Sequence, residues 1–127
     1  GGLKTKAVDA ADENQAMVPG QKSAAVVDTV TFNGRFEKSH SYTLVGELHY
    51  VNGTVVPGTK TETKTFQSDQ DGAIAAQKMT FTVPAEYIKA GQNMVVFEKL
   101  FDAKKKDGTP VASHEDPNDP DQTITVQ

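Results

Sequence analysis

Five polar side chains fall on strand faces that their neighbours mark as apolar: Thr5, Asp28, Glu98, His114 and Gln122. Successive side chains of a strand point to opposite faces. On that parity Val26, Asp28, Val30 and Phe32 line up, as do Met94, Val96, Glu98 and Leu100. Pro110, Ala112 and His114 share a face, as do Leu3, Thr5 and Ala7, and Gln122 sits with Ile124 and Val126. Each has a plain reading when taken singly. An inward threonine bonds a backbone carbonyl, an inward carboxylate reaches water at a sheet end, and a lone histidine packs in a core. One bulge reverses a face. The set is more informative than its members. An unsatisfied buried amide costs ~1–3 kcal/mol, so polar groups buried on separate strands are expected to satisfy one another.

The chemistry available to such a set is an acyl transfer. Thr5 offers a hydroxyl nucleophile, weak until a base takes its proton. His114 is the natural base, with an ordinary pKa near ~6.5. Gln122 offers an amide carbonyl whose nitrogen leaves as ammonia. Asp28 and Glu98, close together in a low-dielectric site, cannot both ionise comfortably, so one holds a proton. A neutral acid of that kind donates a hydrogen bond to a developing oxyanion. The product is an ester tying the first strand to the last, and exclusion of water protects it from hydrolysis.

The elements that position these residues read as strands. Asn33-Gly34, Asn52-Gly53, Pro57-Gly58, Asp71-Gly72, Ala90-Gly91 and Asp107-Gly108 punctuate the chain. Between them lie runs rich in Val, Thr, Phe and Tyr, the pattern of an all-β sandwich or barrel. The expected strands are 3–9, 24–32, 40–51, 59–67, 73–83, 92–103, 109–114 and 122–127. Residues 84–89 predict one helical turn, with Pro84 suited to its start. Residues 10–23 are polar, contain Pro19-Gly20 and read as a long surface loop. No internal repeat or linker is visible. Gly1-Gly2 is set aside as a cloning remnant, so the expected domain is 3–127.

Composition narrows the function classes. The 127 residues are 36% hydrophobic and 24% charged, which describes a soluble globular domain. A net charge of −4 argues against nucleic acid, whose binding rests on Lys and Arg. The one basic run, Lys104-Lys105-Lys106, precedes Asp107-Gly108 and reads as a solvated turn. The chain has no cysteine, which removes disulfides, thiolate metal sites and thiol nucleophiles together. No apolar run approaches the ~20 residues of a membrane helix. No signal peptide is visible, so a cytosolic protein or an excised piece of a larger one is expected.

Several segments resemble a known family, the Thr–Gln ester-bond domains (VaFE repeats) found in stalks of Gram-positive surface adhesins. The likeness runs from about Leu3 to Gln127. Its most specific part is the spacing of His114, Asp116, Asp119 and Gln122, followed by Thr123-Ile124-Thr125-Val126. Val95-Val96-Phe97-Glu98 is similar to the naming motif, with Val96 where Ala is common. Val27-Asp28-Thr29-Val30, Tyr42-Thr43-Leu44-Val45-Gly46 and Thr5-x-Ala7-x-Asp9 resemble further family segments. Two departures stand out. The segment after Asp9 is longer and less Gly-rich than in the family. Lys6 replaces a common second Thr, which leaves Thr5 as the only threonine before Thr29.

The resemblance implies an immunoglobulin-like β-sandwich of about seven or eight strands with one short helical turn. It implies Thr5 as ester donor and Gln122 as acceptor, with Asp28, Glu98 and His114 promoting the reaction. Asp116 and Asp119 would support the loop. It further implies a non-enzymatic structural domain that needs no cofactor or metal. Such a domain would be extracellular and cell-wall-anchored, monomeric in isolation, and partnered by neighbouring domains of its own chain rather than by nucleic acid or membrane.

Other readings compete. A ligand-binding adhesin module on the same sandwich would be favoured if loops 10–23 and 68–72 formed one concave surface. Asp116, Asn118, Asp119 and Asp121 carry calcium-type oxygens but lack the EF-hand glycine and terminal glutamate. Ser113 and His114 are adjacent on one strand, so they point apart and make a poor hydrolase pair. Lys4 and Lys6 lie on the outer parity, which disfavours an isopeptide bond.

Overall fold

The structure is a computed structural model that describes residues 1–20 and 22–127. Two sheets face one another. The first has three antiparallel strands in the order β1 (Gly2–Asp9), β3 (Ala24–Asn33), β6 (Gln77–Val83). The second runs β2 (Ala16–Met17), β9 (Thr123–Val126), β7 (Met94–Asp102), β4 (Ser41–Tyr50), β5 (Glu62–Gln67). Strand β8 (Ala112–His114) also pairs with β7. The architecture is therefore the expected all-β sandwich. A 3₁₀ turn, Ala85–Tyr87, stands where the one helical turn was expected, and a second, Pro120–Gln122, precedes the last strand where none was expected.

Alternation accounts for the core. Ala7, Val26, Val30, Met79, Phe81 and Val83 of the first sheet meet Leu44, Leu48, Met94, Val96, Leu100, Ile124 and Val126 of the second, all buried. Apolar area removed from water is worth ~25 cal/mol per Å² and is the main force holding the sheets together. The outer positions of the first sheet, such as Lys4, Lys6, Thr31 and Lys78, are polar.

Several boundaries differ from the sequence reading. Strand β5 starts at Glu62 because Pro57-Gly58 makes a turn, Gly58 having φ +75°, and Thr59 Oγ1 donates back to the Val56 carbonyl at 2.6 Å. Strand β6 starts at Gln77, because Ala73 belongs to the preceding loop, where its N–H caps Asp69. Strand β8 is confined to Ala112–His114. Gly1 and Gly2 are not outside the fold: Gly2 opens β1 opposite Asn33, and Gly1 lies against the ring of Phe36, leaving no room for a Cβ.

Two differences bear on the site. Residues 10–23 are more than a surface loop. Within them Ala16 and Met17 pair in parallel with Thr125 and Val126, because Met17 is an apolar side chain that the core takes in. Gln122 is not in the last strand. It ends the 3₁₀ turn that Asp119 caps by accepting from the Asp121 N–H and that Pro120 begins, both favoured choices at a helix start.

Candidate functional site

Strand β7 is the axis of the site. Across the second sheet its Glu98 stands between Gly46 of β4 and His114 of β8. Two residues back, Val96 is opposite Leu48, but its other edge lies in the gap between β9, which pairs only with Met94 and Val95, and β8, which begins at Glu98. The Gln122 side chain enters that gap and donates from Nε2 to the Val96 carbonyl at 2.8 Å. The carboxamide thus supplies the missing rung of the ladder, and this bond fixes which end of the amide faces inward. Its Oε1 is buried with no hydrogen-bond partner among the described residues.

The facing sheet supplies the rest. Ala7 is opposite Asp28 and Thr5 is opposite Val30, so Thr5 and Asp28 are diagonal neighbours on the inner face. Strand β1 packs directly over the Pro120–Gln122 turn and over β8 and β9. Thr5 is 2% exposed, while Asp28, Glu98 and Gln122 are fully buried. Among the described residues the Thr5 hydroxyl has no hydrogen-bond partner, and the four carboxyl oxygens of Asp28 and Glu98 have none outside the pair itself. Two ionised carboxylates can only accept. One proton between them turns the pair into donor and acceptor.

Burial provides that proton. Loss of hydration pushes Asp28 up to about 7, partly offset by its hydrogen bond with Glu98. Loss of hydration, the Asp28 charge and the same hydrogen bond push Glu98 up to about 10. At neutral pH the two carboxyls therefore hold a proton between them. Gly46 makes this arrangement possible. A Cβ there would run into Glu98 Oε1 and lie 2.6 Å from Met79 Sδ, so the missing side chain is the hollow that seats the carboxyl.

His114 shares the face of Glu98 but lies at the sheet edge and is 22% exposed. Its Nε2 is 2.8 Å from Asp119 Oδ2. That places Asp119 against the imidazole as well as in the loop. Asp116 is exposed and accepts from the Asn118 N–H, and the Asp116 carbonyl accepts from the Asp119 N–H at 3.2 Å. The structure thus gathers Thr5, Asp28, Glu98 and Gln122 in one buried place, sets His114 with Asp119 at its rim, and leaves Asp116 in the turn.

The model of the T-Q ester bond containing domain matches residues 1–126. The chain belongs to that family. As a T-Q ester bond domain it is a structural, self-cross-linking unit rather than a catalytic enzyme. No curated protein matches it. Among solved structures it is similar to a Bacteroides fragilis protein described as a β-galactosidase (16% identity, TM-score 0.62), with 87% of this chain covering 15% of that one. A Bacteroides uniformis β-glucuronidase is similar at 14% identity and TM-score 0.60, with 87% of this chain covering 12% of that one. The C-terminal domain of wzt matches all of this chain over 74% of its own, at 10% identity and TM-score 0.54. These likenesses show the sandwich fold. The T-Q domain spans only a small part of the two glycosidase chains.

Three residues of the T-Q domain's site escaped sequence reasoning: Gly46 as a hollow, Val96 through its carbonyl, and Gln15. Gln15 Nε2 donates to the Pro120 carbonyl at 2.7 Å and to that of Thr123 at 3.3 Å. The loops that a binding module would join line separate depressions, one by residues 9–11, 17–18, 20 and 22–25, another by Arg35, Phe36, Lys38 and Asp71.

Proposed function

We propose that the domain forms a single ester between Thr5 and Gln122 without turnover. The observation that carries this reading is the buried meeting of an unpartnered Thr5 hydroxyl, an unpartnered Gln122 Oε1 and a carboxyl pair that shares a proton. Asp119 beside Nε2 favours the proton on that nitrogen, so Nδ1 of His114 is the basic one. His114 takes the hydroxyl proton as Thr5 Oγ1 attacks Cδ of Gln122. Protonated Glu98, with Asp28 behind it, stabilises the oxyanion growing on Oε1. The C–N bond then breaks, and nitrogen leaves as ammonia with the proton taken from Thr5. The balance is one C–O bond gained, one C–N bond lost and no oxidant required.

The bond joins the first strand of one sheet to the turn that opens the last strand of the other. In the chain-entropy model, closing so long a loop is worth ~4–5 kcal/mol, against a usual domain stability of ~5–15 kcal/mol. We place the domain in the stalk of a cell-wall-anchored adhesin, extracellular and followed or preceded by similar domains, where the ester carries pulling force and resists proteolysis. With no cysteine in the chain, the ester takes the part of a disulfide while remaining indifferent to redox conditions.

Intact mass tests this. The protein is expected to be lighter than its sequence by one ammonia, and Thr5→Ala to have its full sequence mass and a lower melting temperature. A folded protein at full sequence mass would sink the proposal.

A further inference from the structure

The segment between β1 and β3, read from sequence as a loop, connects the two halves of the site. At its start the N–H of Asp9, the last residue of β1, donates to the Asn14 carbonyl at 2.7 Å, and the Glu13 N–H returns to Asp9 at 2.8 Å. At its end the Gln15 carbonyl accepts from the Thr125 N–H at 2.8 Å, and the Gln127 N–H donates to Met17 at 2.9 Å. Between these anchors the half-buried Gln15 side chain reaches the Pro120 and Thr123 carbonyls, which flank Gln122 in sequence. A few residues after the ester donor, the chain takes hold of the turn that carries the acceptor.

We propose that Gln15 is a positioning residue for cross-link formation, its carboxamide clamping the Pro120–Thr123 turn so that Gln122 faces Thr5. The inference rests on the Thr5–Gln122 reading. A single 3₁₀ turn is a short support, its internal bonds all made within Asp119–Thr123: Gln122 N–H to the Asp119 carbonyl, Thr123 N–H to the Pro120 carbonyl, Asp121 N–H to Asp119 Oδ1 and Thr123 Oγ1 to the Asp119 carbonyl. Attack on an amide carbon requires near-contact geometry, and a displacement of ~1 Å costs about a hundredfold in rate. Two hydrogen bonds from outside the turn restrict that displacement. They leave the Gln122–Val96 bond intact, so the clamp adds to the inner anchor rather than duplicating it.

The test is a time course of intact mass for the full chain made by cell-free synthesis, with samples quenched in denaturant. Gln15→Glu keeps the size but, when ionised, has no N–H to donate. It is expected to slow ammonia loss by ~10-fold or more. Gln15→Lys restores a donor and is expected to recover most of the rate. In a Thr5→Ala background, where no ester forms, the Gln15 variants are expected to melt close to one another. A Gln15→Glu protein that reacts at the unmodified rate would overturn the proposal, and so would a Gln15→Lys protein as slow as Gln15→Glu. The unmodified chain is the separating arm: if it reacts and the variants match it, only the clamp fails. If it never loses ammonia, the ester reading fails and takes the clamp with it.

Discussion

Strand β7 carries two buried carboxyls on one face, and they behave in opposite ways. Asp102, opposite Tyr42, lies 2.9 Å from His40 Nδ1 and accepts from the Lys104 N–H at 2.9 Å. Burial pushes its pKa up, but those hydrogen bonds and the His40 and Lys104 charges outweigh burial and hold it below the ordinary carboxylate value. Glu98, four residues earlier, loses its hydration beside the Asp28 carboxyl and is pushed up to about 10. Burial is common to both. The partner decides whether a buried acid is a charged strut or a neutral donor.

The largest expected break in that comparison comes from the matched amides. Glu98→Gln is expected to fold yet slow ester formation by roughly 10²-fold or more, the usual weight of a positioned acid, read as mass against time. Asp102→Asn is expected to leave ester yield unchanged while costing ~1–3 kcal/mol in denaturant unfolding, because His40 loses its charged partner. Equal ester yields in the two variants would remove the distinction.

A smaller effect should follow from Gly46→Ala. The added methyl enters the seat of the Glu98 carboxyl. Overpacking of this kind typically costs ~1–3 kcal/mol, and here it should also slow the ester by displacing the acid. A Gly46→Ala chain that reacts normally would show that the hollow is only packing.

The smallest effect is one of sign. In Thr5→Ala, which isolates the carboxyls from the cross-link, Glu98 binds its proton more tightly when folded than when unfolded. Its contribution is therefore fully present below the unfolded value near ~4 and is lost as pH rises toward about 10. Asp28 acts in the same direction up to about 7. Asp102 acts oppositely, its contribution being present above the unfolded value and lost as pH falls through its lowered one. Melting temperature of Thr5→Ala is expected to fall between pH 5 and pH 9, and Glu98→Gln in that background should flatten most of the slope. An unchanged slope would remove Glu98 as the proton's holder.

Parity was enough to read Asp28 and Glu98 from sequence, because both sit in long strands flanked by apolar residues at every second position. It failed where the chain leaves regular pairing. The turn at Gln122 was signalled by Asp119-Pro120, but the apolar pattern of Ile124 and Val126 extended the strand one residue too far. The Ala16–Met17 strand is too short for any period to show, and Met17-Val18 in an otherwise polar stretch does not say which of the two is buried: Met17 is, while Val18 is exposed. Contacts such as Gln15 with Pro120, or Asp119 with His114, depend on how two loops fold together, and no local rule places them. Gly46 was visible as a glycine inside a strand, but what occupies its empty side belongs to the neighbouring strand.

The break in the ladder beside Val96 gives the domain a sense of order in time. Thr5, Asp28, Glu98 and Gln122 come from four separated stretches of chain, and they meet only when β8 and β9 have taken their places on either side of the break and the first sheet has closed over them. A chain with a slipped register or an undocked terminal strand has no reactive centre. On the proposed chemistry the seal is therefore applied last and only to molecules that have folded correctly, so each covalent link is a record of a completed fold, and mistaken folds remain open to proteases.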